Sequence, residues 1–275
     1  MAEKIHETID WIRANPGLRP SLETLAGRSG YCPFYFQKLF KKVVGESPSE
    51  LLARTRMMRA ARLLRHEPSP ARISQLLGFG SSSDFSRAFK RFYGICPKDV
   101  ARGETINLGG WQPKRGFGSG RPDCIRKLEI RQVPALEVAY LRVFGSLTRP
   151  EAVKAALVRA FGQMRMPLLG LCHDDLALSP PERVSFEVGV LCEPSEPVPA
   201  GFYRLRLPPS AYLVMAFEGD LEAEEEAWSY ANRVWLPRSG YLPSVLPSFE
   251  VFRDENSLCD WDHLRLSLYL PLGEP

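Results

Sequence analysis

The 275 residues contain no apolar run approaching the ~20 needed to cross a bilayer. The first stretch, MAEKIHETIDWIR, has charges where a secretory leader needs an apolar core. The expectation is a cytoplasmic chain that engages no membrane. Histidine is scarce: four in all, no two of them four residues apart, so none can form a helical zinc pair. The six cysteines lack any C-x-x-C or metal-ligand spacing and read as free thiols. His173 beside Asp174 and Asp175 is the nearest thing to a metal cluster, and a solvated loop explains it better. No Ser/His/Asp constellation stands out either. No metal, cofactor or catalytic residue is expected, and the chain reads as a non-enzyme.

Charge is not lacking but is unevenly spread. The formal net charge is +4, yet residues 1–103 hold 18 Lys and Arg against 9 acidic residues, whereas residues 104–275 hold 18 against 23. A +9 unit followed by a −5 unit means that only the first is suited to a polyanion. The length suits two domains better than one.

The most informative stretch is 73–97, ISQLLGFGSSSDFSRAFKRFYGICP. Ile73, Leu76 and Leu77 make an apolar stripe at helical spacing. Gly78 can take the positive φ of a sharp turn, Phe79 plugs the corner and Ser81 caps a second helix. Phe85, Phe89 and Phe92 recur at i, i+4 and i+7 as its buried face, and Gly94 and Pro97 stop it. Ser82, Ser83, Ser86 and Arg87 lie on the opposite face, small or basic as a major groove requires. The same pattern occurs at 25–48: Gly30 aligns with Gly78 and Tyr31 with Phe79. One residue later in register, Cys32 aligns with Ser81, Phe36 with Phe85, Phe40 with Phe89, Gly45 with Gly94 and Pro48 with Pro97.

On these residues the first hundred positions resemble the DNA-binding domain of the AraC/XylS transcription regulators, with G-F-x-S-x-x-x-F-x-R-x-F-K as the specific motif. Ser29 and Ser74 stand where that family usually has alanine, and Cys32 and Cys96 where it has serine; no basic or aromatic group is lost. The resemblance implies an all-α double helix-turn-helix over 1–103 whose partner is double-stranded promoter DNA. Exposed Phe34, Gln37 and Lys38 align with Ser83, Ser86 and Arg87 as base readers: Gln pairs with adenine, Lys and Arg with guanine, and Phe34 meets thymine methyls. Between the units a helix from Ser49 to about His66 is expected to turn Arg54, Arg56, Arg59, Arg62 and Arg65 outward, with Arg59 on phosphate. Such a spacer can set two recognition helices about 34 Å apart. Residues 104–124, rich in Gly and Pro, read as a flexible linker.

The remainder, 125–275, is an internal repeat. Gln132-Val133-Pro134 to Gly145-Ser146-Leu147 aligns with Arg206-Leu207-Pro208 to Gly219-Asp220-Leu221 at a constant offset of 74. Each copy reads as strand, proline corner, strand, then helix (151–164 and 222–235). Both copies continue to a strand containing S-F-E-V, at 185–188 and 248–251. The expected fold is an α+β pseudo-twofold repeat with helices on one sheet face and a groove on the other. Phe and Val of S-F-E-V should pack on the helices, aiming Glu187 and Glu250 into the groove beside Tyr212, Phe252 and Tyr269. A carboxylate among aromatic rings suits a lipophilic cation. Through the proline corners, VWLPRSGY at 234–241, PSFEVF at 247–252 and the closing LYLPL, this part is similar to GyrI-like small-molecule-binding domains. That resemblance implies a ligand-lining glutamate at Glu250.

The two halves together read as a sequence-specific DNA-binding regulator, an activator, whose C-terminal domain senses a small amphipathic, cationic effector, an RNA polymerase surface, or both. The competing readings use the Glu250 groove otherwise: a GyrI-like hydrolase with Glu250 as general base, or a module that sequesters a drug or toxin.

Overall fold

The computed structural model describes the chain except residues 1, 65–68, 103–105, 107–119, 145–149, 164, 173–184, 245, 256, 258–259 and 275. Two compact units emerge, one within Met1–Gln112 and the other within Pro113–His173 and Ser185–Pro275. The His173–Asp175 cluster and most of the expected linker lie outside the described residues. Ile106, placed in that linker by composition, is buried against the first unit's core.

In the first unit α1 (Ala2–Ala14) buries Ile5, Ile9 and Ile12 completely. Its Thr8 hydroxyl meets that of Ser29 at 2.7 Å, tying it to α2 (Leu22–Ser29). Then come α3 (Pro33–Val44), α4 (Pro48–Leu64), α5 (Pro70–Leu76), α6 (Ser82–Tyr93) and α7 (Pro97–Ala101). The duplicated punctuation does the same work twice. Tyr31 N–H donates to Ala26 O and Phe79 N–H to Ser74 O, closing the two inter-helix turns alike. Gly45 and Gly94, both with positive φ, end α3 and α6 with N–H bonds to Lys41 O and Lys90 O. Gly78 is needed for a further reason: a Cβ there would sit 2.4 Å from the Gly17 carbonyl oxygen. Phe36, Phe40, Phe85 and Phe89 have no exposed surface.

Two expectations fail in this unit. Leu76 is 59% exposed and belongs to no core stripe, since α5 ends there and leaves its last turn on the surface. Helix α4 runs between the two helix-turn-helix units, but it does not carry the expected arginine exterior, and Arg65 lies outside the described residues. It packs on α1, α3, α5 and α7, so several of its faces are buried. Arg54 is 2% exposed and donates to Glu46 through Nε (3.2 Å) and Nη2 (2.7 Å). Half-buried Arg56 donates to the carbonyls of Pro16 and Leu18.

The second unit runs β1 (Ile125–Val133), β2 (Leu136–Phe144), α8 (Pro150–Phe161), β3 (Leu168–Cys172), β4 (Ser185–Leu191), β5 (Tyr203–Leu207), β6 (Ser210–Gly219) and α9 (Leu221–Tyr230). A π-helical turn, Ala231–Trp235, leads into α10 (Leu236–Ser239), then β7 (Leu242–Pro243), β8 (Ser248–Phe252) and β9 (Leu264–Gly273). The antiparallel sheet has the order β1-β6-β9-β8-β3-β4-β2-β5, with β7 on β9. That order is a palindrome under β1≡β5, β2≡β6, β3≡β8 and β4≡β9, with its axis between β3 and β8, where Gly170 opposes Glu250.

The palindrome corrects one inference from the sequence. The two S-F-E-V segments lie in β4 and β8, which are not counterparts. Across the axis Gly170 is the counterpart of Glu250, and Ser267 that of Glu187, because the registers Gly170↔Val188 and Glu250↔Leu268 match. The offset of 74 does hold for β1–β2 against β5–β6: Arg142 pairs with Glu187 where Ala216 pairs with Ser267.

A candidate DNA interface and a buried carboxylate pair

Recognition-helix candidate α6 starts with a small network. Ser81 caps it by accepting from Asp84 N–H (3.0 Å) and donates its hydroxyl to Asp84 Oδ2 (2.8 Å). Arg87 Nη2 then meets Asp84 Oδ1 at 2.5 Å. The Ser81 hydroxyl and the Arg87 guanidinium hold the Asp84 carboxyl below its ordinary range. Ser82, Ser83 and Arg87 are exposed and Ser86 is half-buried. On α3, Gln37 and Lys38 are exposed and Phe34 is 69% exposed, so Phe34 is no core aromatic. Lys38 Nζ sits 4.5 Å above the Phe34 ring, which orients the ammonium without neutralising it. Tyr35, absent from the expected set, is also exposed and packs edge-on against Tyr31 at 5.4 Å. Arg59 is half-buried, and burial together with Arg62 pulls its guanidinium down to about 10.

In the second unit the five expected ligand residues do not share a face. A strand alternates, so each side is fixed by its cross-strand partner. Glu250 opposes Leu268 and alternates with Phe252, and both Leu268 and Phe252 belong to the core that includes α9 and the turn after it. Glu250 therefore faces the helices. Phe249 opposes Tyr269 and clusters with Tyr212 on the other face, the two rings of Phe249 and Tyr269 stacked 4.4 Å apart at 12°. That face is packed with Val138, Tyr140, Leu169 and Leu171. Tyr212 is pushed up to about 12 by burial there. Glu187 also lies on the far face, because its neighbours Phe186 and Val188 pack on the helix side. The expectation that Phe and Val meet the helices holds for β4 and is reversed for β8.

The two glutamates are buried in different company. Glu187 is wholly buried, and both Nε and Nη2 of equally enclosed Arg142 donate to its Oε1. Arg142 in turn lies 5.1 Å from the Tyr140 ring centroid. Glu250, 9% exposed, instead meets Glu224 of α9, 8% exposed. The two carboxyls are close enough to interact and both are pushed up, Glu250 well above its ordinary value, first by burial and then by the neighbouring Glu224. Trp228, one turn along α9, donates its indole N–H to Glu224 Oε1 at 3.2 Å. Gly170 makes room: a Cβ there would lie 3.2 Å from Glu250 Oε2 and under 3.0 Å from the rings of Phe186 and Phe252. Half-buried Trp228, Tyr230, Trp235, Tyr241 and Trp261 pack against the same core. Glu224 was hidden in the sequence as one acid of the run LEAEEEAW, which reads as a solvated face. Among the described residues there is no group of His, Cys, Asp and Glu able to hold a metal, and no helix long and apolar enough to cross a membrane.

Paired helix-turn-helix units ahead of an α+β ligand-binding fold define a DNA-binding transcription regulator with an effector domain. Residues 25–103 match the helix-turn-helix domain family model and residues 126–272 that of the GyrI-like small molecule binding domain. The chain belongs to the AraC/XylS regulators and carries a GyrI-like domain at its C-terminal side. The multiple antibiotic resistance protein MarA of Escherichia coli K12 is 32% identical over 94 residues, 34% of this chain and 74% of that protein. The HTH-type transcriptional activator AarP of Providencia stuartii is 34% identical over 94 residues, covering 34% of this chain and 70% of its own. The solved structure of SAV2435 bound to tetraphenylphosphonium is 17% identical, with a TM-score of 0.38, over 54% of this chain and 94% of that one.

Proposed function

We propose that this regulator activates transcription from promoters that it reads with α3 and α6, and that its second unit takes an amphipathic organic cation at Glu250 and Glu224. The DNA reading rests on two copies of one recognition unit whose helices carry Phe34, Gln37 and Lys38 and Ser82, Ser83, Ser86 and Arg87 at or near the surface; half-buried Arg59 is assigned to phosphate by this reading. Activation is supported by the name of AarP, an HTH-type transcriptional activator; RNA polymerase is the partner that an activator of this kind would meet. The ligand reading is carried by one observation: two buried carboxyls in contact, with no lysine, arginine or histidine ion-paired to either among the described residues. Such a pair lacks a counter-charge that a ligand can supply. Phe252 lies beside it. Tyr212, Tyr269 and Glu187 are left out of the contact set, since they face the other side of the sheet. The chain acts as a cytoplasmic binder rather than an enzyme.

Fluorescence anisotropy on a labelled fragment upstream of its own reading frame, against scrambled DNA across a salt series, tests the first half. Selective binding with a steep salt dependence is expected, and Arg87→Ala should weaken it by about 1–3 kcal/mol and relax base preference. Equal binding to both DNAs, unchanged in the variant, would sink it. Titration with tetraphenylphosphonium and with its shape twin tetraphenylborate tests the second half. Binding of the cation alone is expected; preference for the anion refutes the site. Turnover of an ester panel that depends on Glu250 would move the reading to a hydrolase.

A further inference from the structure

We propose that Glu224 carries the negative charge of the buried pair while Glu250 carries its proton, so that the site presents one charge to a monovalent cation and keeps its proton when the cation binds. This rests on the cation reading of the second unit, but the assignment of the proton is independent of any ligand.

Two carboxyls in contact away from water cannot both be ionised, and a hydrogen bond between them must be supplied by one of the two. The surroundings decide which. Glu224 stands four residues after the N-cap Asp220, whose own side chain is engaged by Ala223 N–H at 2.8 Å. The positive end of the α9 dipole is therefore close to Glu224 and favours an anion there. Its Oε1 accepts the indole N–H of Trp228, a group that can only donate. An oxygen receiving that bond is better left unprotonated, and the second oxygen is free to accept from Glu250.

Glu250 has no comparable support. From β3 it faces Gly170, from β9 Leu268, and along its own strand Phe252, none of which can donate from a side chain. From α9 it faces Glu224, the one titratable group in contact with it among the described residues. Ionised, Glu250 would lack both a donor and a counter-charge; protonated, it donates to Glu224 and needs nothing more.

The arrangement has a chemical consequence. A single negative charge shared by two carboxyls is matched by one positive charge. A monocation neutralises the site with the proton in place, an anion is repelled, and a dication is matched only by expelling the proton into solution. The site is thereby a counter of ligand charge, with Glu224 as the contact for the cation and Glu250 as the residue that fixes its orientation.

The test uses the full chain, its E250Q and E224L variants, and two readouts. Infrared difference spectra at pH 7 follow the C=O stretch of a protonated carboxyl, separated from those of ionised ones by 13C labelling of glutamate. Wild type should show this band, E250Q should lose it, and E224L should keep it. A band that survives in E250Q places the proton on Glu224 and overturns the proposal. Thermal melts of both variants check that they fold; should E224L not fold, E224Q takes its place, and the band should persist in it. Calorimetry with tetraphenylphosphonium, repeated in buffers of differing ionisation heat, gives affinity and protons exchanged. E250Q should lose clearly less affinity than E224L, because a Gln amide can still donate to Glu224 as the acid does. E224L should bind at least tenfold more weakly, and wild type should exchange fewer than about 0.2 protons per cation. Loss of binding in E250Q, or release of about one proton by wild type, overturns the proposal. If wild type binds no cation while the band follows Glu250, the cation reading fails and the proton assignment stands.

Discussion

The two S-F-E-V segments make a controlled comparison within one domain. Both bury a glutamate in the same sheet, in the same four-residue context, and the outcomes are opposite. Glu187 on β4 is closed by Arg142 and takes part in a finished core. Glu250 on β8 is met by a second acid and stays unfinished. The tetrapeptide does not decide this; the neighbouring strand and helix do. Where Glu187 has Arg142 across the ladder, its counterpart Ser267 has Ala216, and Ser267 accepts from Arg253 Nη2 at 2.8 Å instead. A buried carboxylate with a fixed guanidinium is structural, and one without is available to something from outside.

The sharpest way to break the comparison is to unfinish the finished site. Arg142→Met should destabilise the second unit by about 3–5 kcal/mol in urea unfolding, since Glu187 would be left charged and unpaired or forced to take a proton. A loss below about 1 kcal/mol would show that the pair is not what closes that face. Next in size, Gly170→Ala should cost about 1–3 kcal/mol, because its Cβ overlaps the Phe186 and Phe252 rings and crowds Glu250. The same change should weaken tetraphenylphosphonium binding; a variant of wild-type stability and affinity would mean that the rings move aside freely.

A smaller effect comes from the raised carboxyls. The folded pair binds more protons than the unfolded chain between the ordinary glutamate range and the raised values, so stability falls as pH rises through that window and is fully present below it. Melting temperatures from pH 5 to 8 should thus decline more steeply for wild type than for E250Q, the gap growing with pH. Parallel profiles would remove Glu250 as the proton carrier. The smallest effect concerns the far face: Tyr269→Leu should leave cation affinity within about twofold, because Tyr269 stacks on Phe249 away from Glu250. A tenfold loss would return Tyr269 to the ligand's side.

Much of the first unit was legible because its signals are local. Gly30 and Gly78, Gly45 and Gly94, Pro48 and Pro97 are backbone requirements that a sequence states outright, and each sits where its spacing implied. The repeat of the second unit was equally plain, since an offset of 74 survives in the folded ladder from Gln132 to Arg142. Direction was not legible. Period-two alternation shows that Phe249 and Glu250 face opposite ways but not which of them meets the helices; that depends on register against β3 and β9, set by residues far along the chain. Partnership was hidden for a related reason. Arg54 sits in a row of arginines and Glu224 in a row of glutamates, and a run of one sign reads as solvated until a helix is seen to turn one member inward.

The axis between β3 and β8 has one further consequence. A small molecule seated on a perfect twofold axis has two equal orientations, and nothing in such a cradle distinguishes its head from its tail. Here the axis passes between a glycine and a glutamate, so the two poses are no longer equivalent. The duplication repeats the sheet about that axis, and the Gly170–Glu250 difference gives the repeat a polarity.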